Sequence, residues 1–446
     1  MSVYSEIKIH KFRFLKTLVL FLIFVVHGLI AALPGVTLLD LQIAVNAPTV
    51  EQISYVIPFR AGGHTIGSLL NAILVHFFDH QLCLFTALTA AVALIATVPW
   101  NRTLIGMYSN MFFIGIPTGI LDSGGNVWLL HLWGKANPPF MQALHFFSTF
   151  GKFVAPLISE PFLLPLQKEV STSLANTTDY KRGKTYTPDD LKIPYTYGIV
   201  SLFGLCVLIM FLVVYLIKRD NKPHPSREEK EHDKQANARV PKSTNACIII
   251  FTCLFMLIFS GLEYVFGNLL PTFAVLCDLK FNKSKAAFIA SLYYGTFTFF
   301  RVFAIFLLDL IGSQNLILFD LILITVANVL LVPFGNRFEW CLWTGVAIMG
   351  CGASSVFGAI FGFLEDFVNV KSKFASLILI NVCFGAFAFP LIVGKYADTE
   401  PLVFLYISLL CNLLCCICFI VLMCLKRFVL KVKNVAPELH VHTVKS

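Results

Sequence analysis

The chain has 446 residues, 57% of them hydrophobic and 13% charged, with 44 Phe and a formal net charge of +9; its mean hydropathy is +0.78. Soluble domains carry a charged share of about 25%, so water-soluble, disordered, collagen-like, coiled-coil and small disulfide-stapled classes are excluded. What remains is a polytopic protein whose surroundings are the lipid bilayer.

A spanning helix needs about 20 mainly apolar residues. Such runs begin near Leu15, Ile53, Leu82, Leu104, Ala143 and Tyr195, and again near Ala246, Ala286, Leu316, Trp343, Phe374 and Val403. An all-α membrane protein of twelve transmembrane helices is expected. The first run is too long for a cleavable signal and has no small-residue cleavage site before Pro34, so it reads as a span. Because the runs are continuous, they do not fit a barrel of alternating strands of about 10 residues.

Two connections are long. Residues 165–194 are polar and mixed in charge, whereas residues 218–245 are highly charged, contain Pro and lack almost all apolar side chains. The second reads as a cytoplasmic linker. It divides an N-terminal six-helix half, 1–217, from a C-terminal half with its tail, 246–446. With both termini in the cytoplasm, about 20 of the 34 Lys and Arg fall inside and about 11 outside, as the positive-inside rule requires. The net charge therefore reports topology, and no soluble basic domain exists to bind nucleic acid. Three glycosylation triplets, at Asn101, Asn176 and Asn282, all fall on the outside. Asn101 lies close to the bilayer, and Asn176 in the long outer loop is the main acceptor expected. The thirteen Cys form no metal or disulfide pattern, although Cys277 and Cys341 fall near one face, which leaves a disulfide between them open.

The halves repeat. GKFVAPLI from Gly151 and GAFAFPLI from Gly385 are both G-x-x-x-x-P-L-I, 234 positions apart, and Asp79 and Asp309 mark helix boundaries 230 apart. A parallel six-plus-six repeat resembles the major facilitator fold, in which substrate binds near the midplane between the halves. In that setting Arg301, with Asp309 and Gly312 beyond it, is similar to the cytoplasmic gate motif of the fold, with Asp79 as its counterpart in the first half.

Polar residues within spans are costly and usually functional. Arg60 and His64 lie one turn apart in the second span, as do Asp122 and Asn126 in the fourth. Gln142, His145 and Lys152 occupy the fifth, Glu263 and Asn268 the seventh, and Arg301 the eighth. Asp122 with Lys152 or Arg60 also reads as a structural ion pair within the first half. His27 and Asn328 read as satisfied polar residues, and Asp320 and Glu365 as acids reaching the interface from helix ends. Trp128, Tyr293 and Tyr294 suit either a sugar face or core packing. No nucleophile–base pair, metal cluster or phosphate loop suggests an enzyme.

Several stretches carry a resemblance: DSGGNVWLLHLWG at 122–134, MQALHFFSTFG at 141–151, APLISEPFL at 155–163, GLEYVFGNLLPTFAV at 261–275, YYGTFTFFRV at 293–302 and PGVTLLDL at 34–41. Together they resemble the sodium-dependent glucose transporter branch of the major facilitator superfamily, which includes the domain-containing 4 proteins. The fucose/proton symporters are more distantly similar. Their fourth-helix G-x-L-E-T-A-A-N is matched by Gly119, Leu121, Asp122 and Asn126. Their second coupling acid has no counterpart, since Gly35 falls there and Asp40 lies five residues on. The resemblance implies a monomeric multi-pass plasma-membrane transporter moving a hexose with sodium, without other cofactors.

On this reading Asp122, Asn126, Gln142, His145, Glu263 and Asn268 contact sugar or ion, with a sodium site suspected at Asp122. Arg60, Lys152 and Arg301 form an intramembrane basic set for substrate or gate. The rivals are a carrier of another small polar or anionic solute, proton-coupled or facilitative, and a non-transporting receptor or scaffold.

Overall fold

The computed structural model describes residues 10–134, 137–166, 186–217, 242–368 and 372–443. Among these, the regular elements are α-helices and short 3₁₀ turns. In chain order they are α1 (Lys11–Val36), α2 (Leu38–Ala44), α3 (Val50–Ser54), α4 (Val56–Phe77), α5 (His80–Thr97), α6 (Leu104–Trp133) and α7 (Pro138–Ser159), followed by α8 (Ile193–Ile217), α9 (Lys242–Leu276), α10 (Lys283–Phe334), α11 (Glu339–Ala353), α12 (Val356–Glu365), α13 (Ser372–Lys395) and α14 (Val403–Thr443). Each apolar run identified in the sequence falls within one or two of them. Asn176 and residues 218–241 of the linker lie outside the described residues.

Nine described helical stretches, α11 and α12 counted together as one, are long and apolar enough to cross a membrane by length and composition. α4 and α7, of 22 residues each, are not among them, because Arg60, His64, Gln142, His145 and Lys152 lower their hydropathy. α10 makes two passes. Gly312 interrupts it with φ 76° and ψ 164°, a backbone geometry that glycine adopts without a Cβ penalty. The Phe300 and Phe319 rings consequently lie 6.2 Å apart, where a straight helix would separate them by about 28 Å. Lys285, at its start, reaches Glu339, just past its end, at 3.0 Å.

Without a hydrophobic force between helices in lipid, close packing relies on small residues. Glycine seams do this in both halves. A Cβ on Gly63 of α4 would sit 2.0 Å from the Phe112 carbonyl oxygen, and one on Gly115 of α6 would sit 2.2 Å from that of Arg60. Likewise Gly151 of α7 abuts the Val25 carbonyl of α1 at 2.2 Å. In the second half Gly385 of α13 abuts the Leu257 carbonyl of α9 at 2.0 Å, and Gly350 of α11 abuts that of Tyr293 at 2.6 Å. Gly151 and Gly385 are the glycines of the sequence repeat, so the motif marks the same helix–helix contact twice. α8, by contrast, is apolar all round and exposes Leu202, Leu216 and Ile217, a face suited to lipid.

Several polar contacts between the halves gather at one end, the end that the Lys/Arg count places outside. The Asp398 carboxylate accepts the Val50 and Glu51 N–H groups at 3.1 and 2.8 Å. Ser284 Oγ donates to Glu160 Oε1. Lys283 Nζ lies 3.3 Å from Asp40 Oδ1 with side chains only 8% and 0% exposed, and the Leu164 N–H donates to the same oxygen at 3.1 Å. Asp40 Oδ2 is buried without a hydrogen bond. Burial pushes the Asp40 carboxyl above its usual range, while Lys283 and the Leu164 N–H pull it back. This end is closed.

One polar residue behaves otherwise than the sequence suggests. Asp320, expected at the interface, is fully buried and accepts from Ser355 Oγ, because α10 turns back at Gly312 and carries it into the bundle. Cys277 and Cys341 are both buried and free. Asn328 is satisfied as expected, accepting from Ser408 Oγ at 2.7 Å and donating to the Ile324 carbonyl, and Glu365 is exposed.

Candidate functional site

The α4–α6 seam decides what faces Asp122. By bringing the two backbones together it places His64 Nε2 3.8 Å from Asp122 Oδ2, with side-chain exposures of 15% and 36%. The carboxylate is therefore only partly covered. On the α1–α7 seam, His27 brings its ring to 6.2 Å from that of His64, and its Nδ1 shares a 3.3 Å hydrogen bond with Ser148 Oγ. Asn126 donates to the Asp122 backbone carbonyl at 2.8 Å and leaves its own Oδ1 buried and unpaired. No ion pair joins Asp122 to Arg60 or Lys152 within 4 Å; the residue beside it is an imidazole.

A second group spans the halves. Ala31, Arg60 and Lys152 from the first half and Glu263, Tyr264, Asn268 and Tyr294 from the second line a narrow cavity of about 20 Å³, room for roughly one water. Arg60 Nη2 lies 3.5 Å from Asn268 Oδ1, and Lys152 Nζ lies 5.9 Å from the Tyr294 ring. The Tyr294 hydroxyl donates to the Gly267 carbonyl at 2.8 Å. The cavity thus offers cationic donors, a carboxylate, an amide and aromatic walls, held almost shut.

The remaining expected residues divide. His145, half-buried on α7, forms no hydrogen bond or ion pair with either group. Gln142, half-buried on α7, hydrogen-bonds with neither group. Arg301 turns to the Ser354 carbonyl, with Nε 3.0 Å away, and stacks its guanidinium over Phe297 at 5.1 Å. It braces the break between α11 and α12. Asp79 caps α5 through the Leu82 N–H, Asp309 is exposed, and Gly312 makes the turn. Trp128 and Tyr293 are packed into the core, so of the three aromatic candidates Tyr294 alone lines the cavity. Sequence reasoning missed Tyr264 and the Asp40–Lys283 pair, and it set His27 aside. Gly63 and Gly67, with Gly115 and Gly119 facing them, are the spacing signal that could have paired α4 with α6.

This geometry, a two-half helical bundle with a polar cluster at the seam between the halves, defines a transporter of the alternating-access type. The profile of the Major Facilitator Superfamily matches residues 17–390, and the chain belongs to that superfamily. It is 28% identical over 394 residues to sodium-dependent glucose transporter 1 from Homo sapiens, covering 86% of this chain and 74% of that one. It is 23% identical over 448 residues to human major facilitator superfamily domain-containing protein 4A, covering 86% of each. Among solved structures, a D-xylose–proton symporter aligns with a TM-score of 0.66 at 12% identity, over 90% of this chain and 97% of that one. The E. coli xylose transporter in a partially occluded inward-open conformation aligns with a TM-score of 0.64 at 12% identity, over 90% and 97%. The chain is a membrane transporter with sugar-transporter relatives, and its relatives are not enzymes.

Proposed function

We propose that this protein moves a hexose-class sugar such as glucose together with sodium across the plasma membrane by alternating access. The observation that carries the reading is the mixed lining of the cavity between the halves. Arg60, Lys152 and Asn268 supply donors, Glu263 and Asn268 supply acceptors, and Tyr264 and Tyr294 supply aromatic faces, the set a sugar ring with its hydroxyls needs. Asp122 is the anchor for sodium: a partly exposed carboxylate on the first half, close to the cavity. The names of the relatives support both cargo and ion. The protein acts as a monomer in the bilayer, with Asn176 and Asn282 carrying glycans outside; Asn282 is exposed, and its Oδ1 caps α10 while leaving the amide nitrogen for a glycan.

With the cavity at about 20 Å³, a hexose enters only when the halves part. Cargo is therefore admitted in an open state and enclosed by closure. The test is uptake of labelled glucose by expressing cells, with sodium replaced by choline. Sodium-dependent accumulation is expected. Sodium-independent entry would remove the coupling and leave a facilitator. A second reading, transport of a small organic anion, is favoured by two cations, Arg60 and Lys152, against one acid, Glu263, in the cavity lining. Uptake of an organic anion without any sugar would select it.

A further inference from the structure

A second space lies apart from the polar cavity, in the angle between α7, α10 and α11. It holds about 500 Å³, bounded by Phe153 of α7, by one face of α10 from Ser291 to Phe303, and by Cys351 of α11. Ligand pockets run from about 300 to 1,000 Å³, and the lining of this one is almost wholly apolar. We propose that the groove seats the acyl tail of a bilayer phospholipid against both halves of the carrier at once. This seat depends on neither the cargo nor the coupling ion.

The hydroxyls in its wall are already spent. Ser291 Oγ donates to the Phe153 carbonyl at 3.2 Å, and Thr296 Oγ donates to the Leu292 and Tyr293 carbonyls at 3.0 and 3.1 Å. Arg301, on the same stretch of α10, turns its guanidinium onto Phe297 and the Ser354 carbonyl and leaves the groove uncharged. A roomy apolar space without polar partners stays dry and takes apolar ligands; left empty, its walls would forfeit dispersion contacts. Phe299 and Phe303 line the groove and are exposed, so it is continuous with the surface that meets lipid. Its shape also suits a tail. The lining residues recur every three or four positions along α10, which makes a single stripe. Its twelve residue steps of about 1.5 Å, from Ser291 to Phe303, span about 18 Å. One leaflet of hydrocarbon, half of about 30 Å, is comparable in depth, and α10 crosses the bilayer in the direction the tails run. The Phe153 ring closes the groove, lying 3.1 Å from where a Cβ on Gly295 would stand and meeting Phe299 edge-on at 6.0 Å. Phe153 belongs to the first half and the other walls to the second, so a seated tail is clasped between parts that move relative to one another.

Photochemical capture tests this in the membrane. The full-length protein is reconstituted in phosphatidylcholine vesicles doped with a phosphatidylcholine whose acyl tail carries a diazirine, then illuminated, digested and mapped by mass spectrometry. Leu202 and Leu216, exposed on the apolar α8, give the level for ordinary lipid contact. Capture at Phe153, Thr296 and Cys351, all half-buried, is expected to exceed that level severalfold, because a seated tail dwells there. Leu292→Trp fills the groove and is expected to bring capture at Thr296 and Cys351 below the α8 level, with Leu202 and Leu216 unchanged. Capture in the groove no greater than on α8 overturns the proposal, and so does equal capture in wild type and Leu292→Trp. Labelling of Thr296 and Cys351 without Phe153 overturns the clasp between the halves. A photoreactive sterol that labels these positions while the phosphatidylcholine does not overturns the choice of an acyl tail. If Leu292→Trp fails to fold, the comparison of positions within the wild type decides.

Discussion

The pair Asp40–Lys283 is the most exacting test of how the closed end is held. Replacing Lys283 with Met leaves the Asp40 carboxylate fully buried, with one oxygen already unpaired and the Leu164 N–H as its remaining donor. Removing one partner of a buried ion pair costs about 3–5 kcal/mol. The upper limit here is set by Asp40 taking a proton instead, which at pH 7 costs about 4 kcal/mol from an ordinary carboxyl value near 3.9. A penalty of about 3–4 kcal/mol falls on the closed arrangement alone, since an opened end returns the carboxylate to water. The ratio of open to closed therefore rises about 10²–10³-fold. Ser54 reports on this end, being fully buried with its Oγ against Gly394. With the exposed Cys206, Cys247 and Cys424 replaced by Ser, Ser54→Cys is labelled by a membrane-impermeant maleimide. Lys283→Met is expected to speed labelling at least tenfold, and the double change Asp40→Asn with Lys283→Met to bring it back towards the parent rate. If Lys283→Met leaves the rate within twofold of the parent, the pair does not hold the end shut. If the double variant labels as fast as the single one, the buried charge is not the cause.

Other outcomes follow from the same geometry. Asp122→Asn should abolish sodium-dependent uptake while surface biotinylation shows normal delivery; surviving sodium dependence removes Asp122 from the ion site. Asn268→Ala removes the acceptor of Arg60 across the halves and should raise the KM for cargo about fivefold, the worth of roughly 1 kcal/mol of hydrogen bond, with little change in maximal rate. Gly63→Val would drive a side chain into the Phe112 carbonyl; overpacking of this kind costs about 1–3 kcal/mol, read as a lower melting temperature in detergent. Asn176→Gln should remove most of the mobility shift produced by deglycosylation.

Architecture was legible in this sequence because the bilayer demands long apolar runs, and such runs can be counted. The repeat could be read as well, since Gly151 and Gly385 each make a backbone contact that no side chain would permit. The polar helices α4 and α7 were counted as spans from the runs near Ile53 and Ala143, although their polar residues lower their hydropathy. What the sequence hid was partnership. Residues 64 and 122 are far apart along the chain, and only the meeting of two glycine faces brings them together. Asp40 looked like a failed match to a coupling acid, whereas the fold spends it on Lys283, a residue 243 positions away. Asp320 misled because a helix end in the linear reading is a turn inside the bundle in space. Arg301 had the spacing of a gate residue with Asp309, but its guanidinium satisfies the Ser354 carbonyl that the α11–α12 break leaves without a helical partner.

One contact has a consequence for the cycle as a whole. A Cβ on Gly35 of α1 would meet the Asn268 carbonyl oxygen of α9 at 2.6 Å, and these residues are 233 positions apart, one fewer than separate Gly151 and Gly385. The first helix of one half thus meets the first helix of the other, backbone to backbone, at nearly the repeat spacing. Asn268 also receives Arg60, so the meeting point and the wall of the cavity are one residue. A single methyl at position 35 would act as a shim between the halves. The lack of a side chain at position 35 thus permits the closeness at which the two halves meet here.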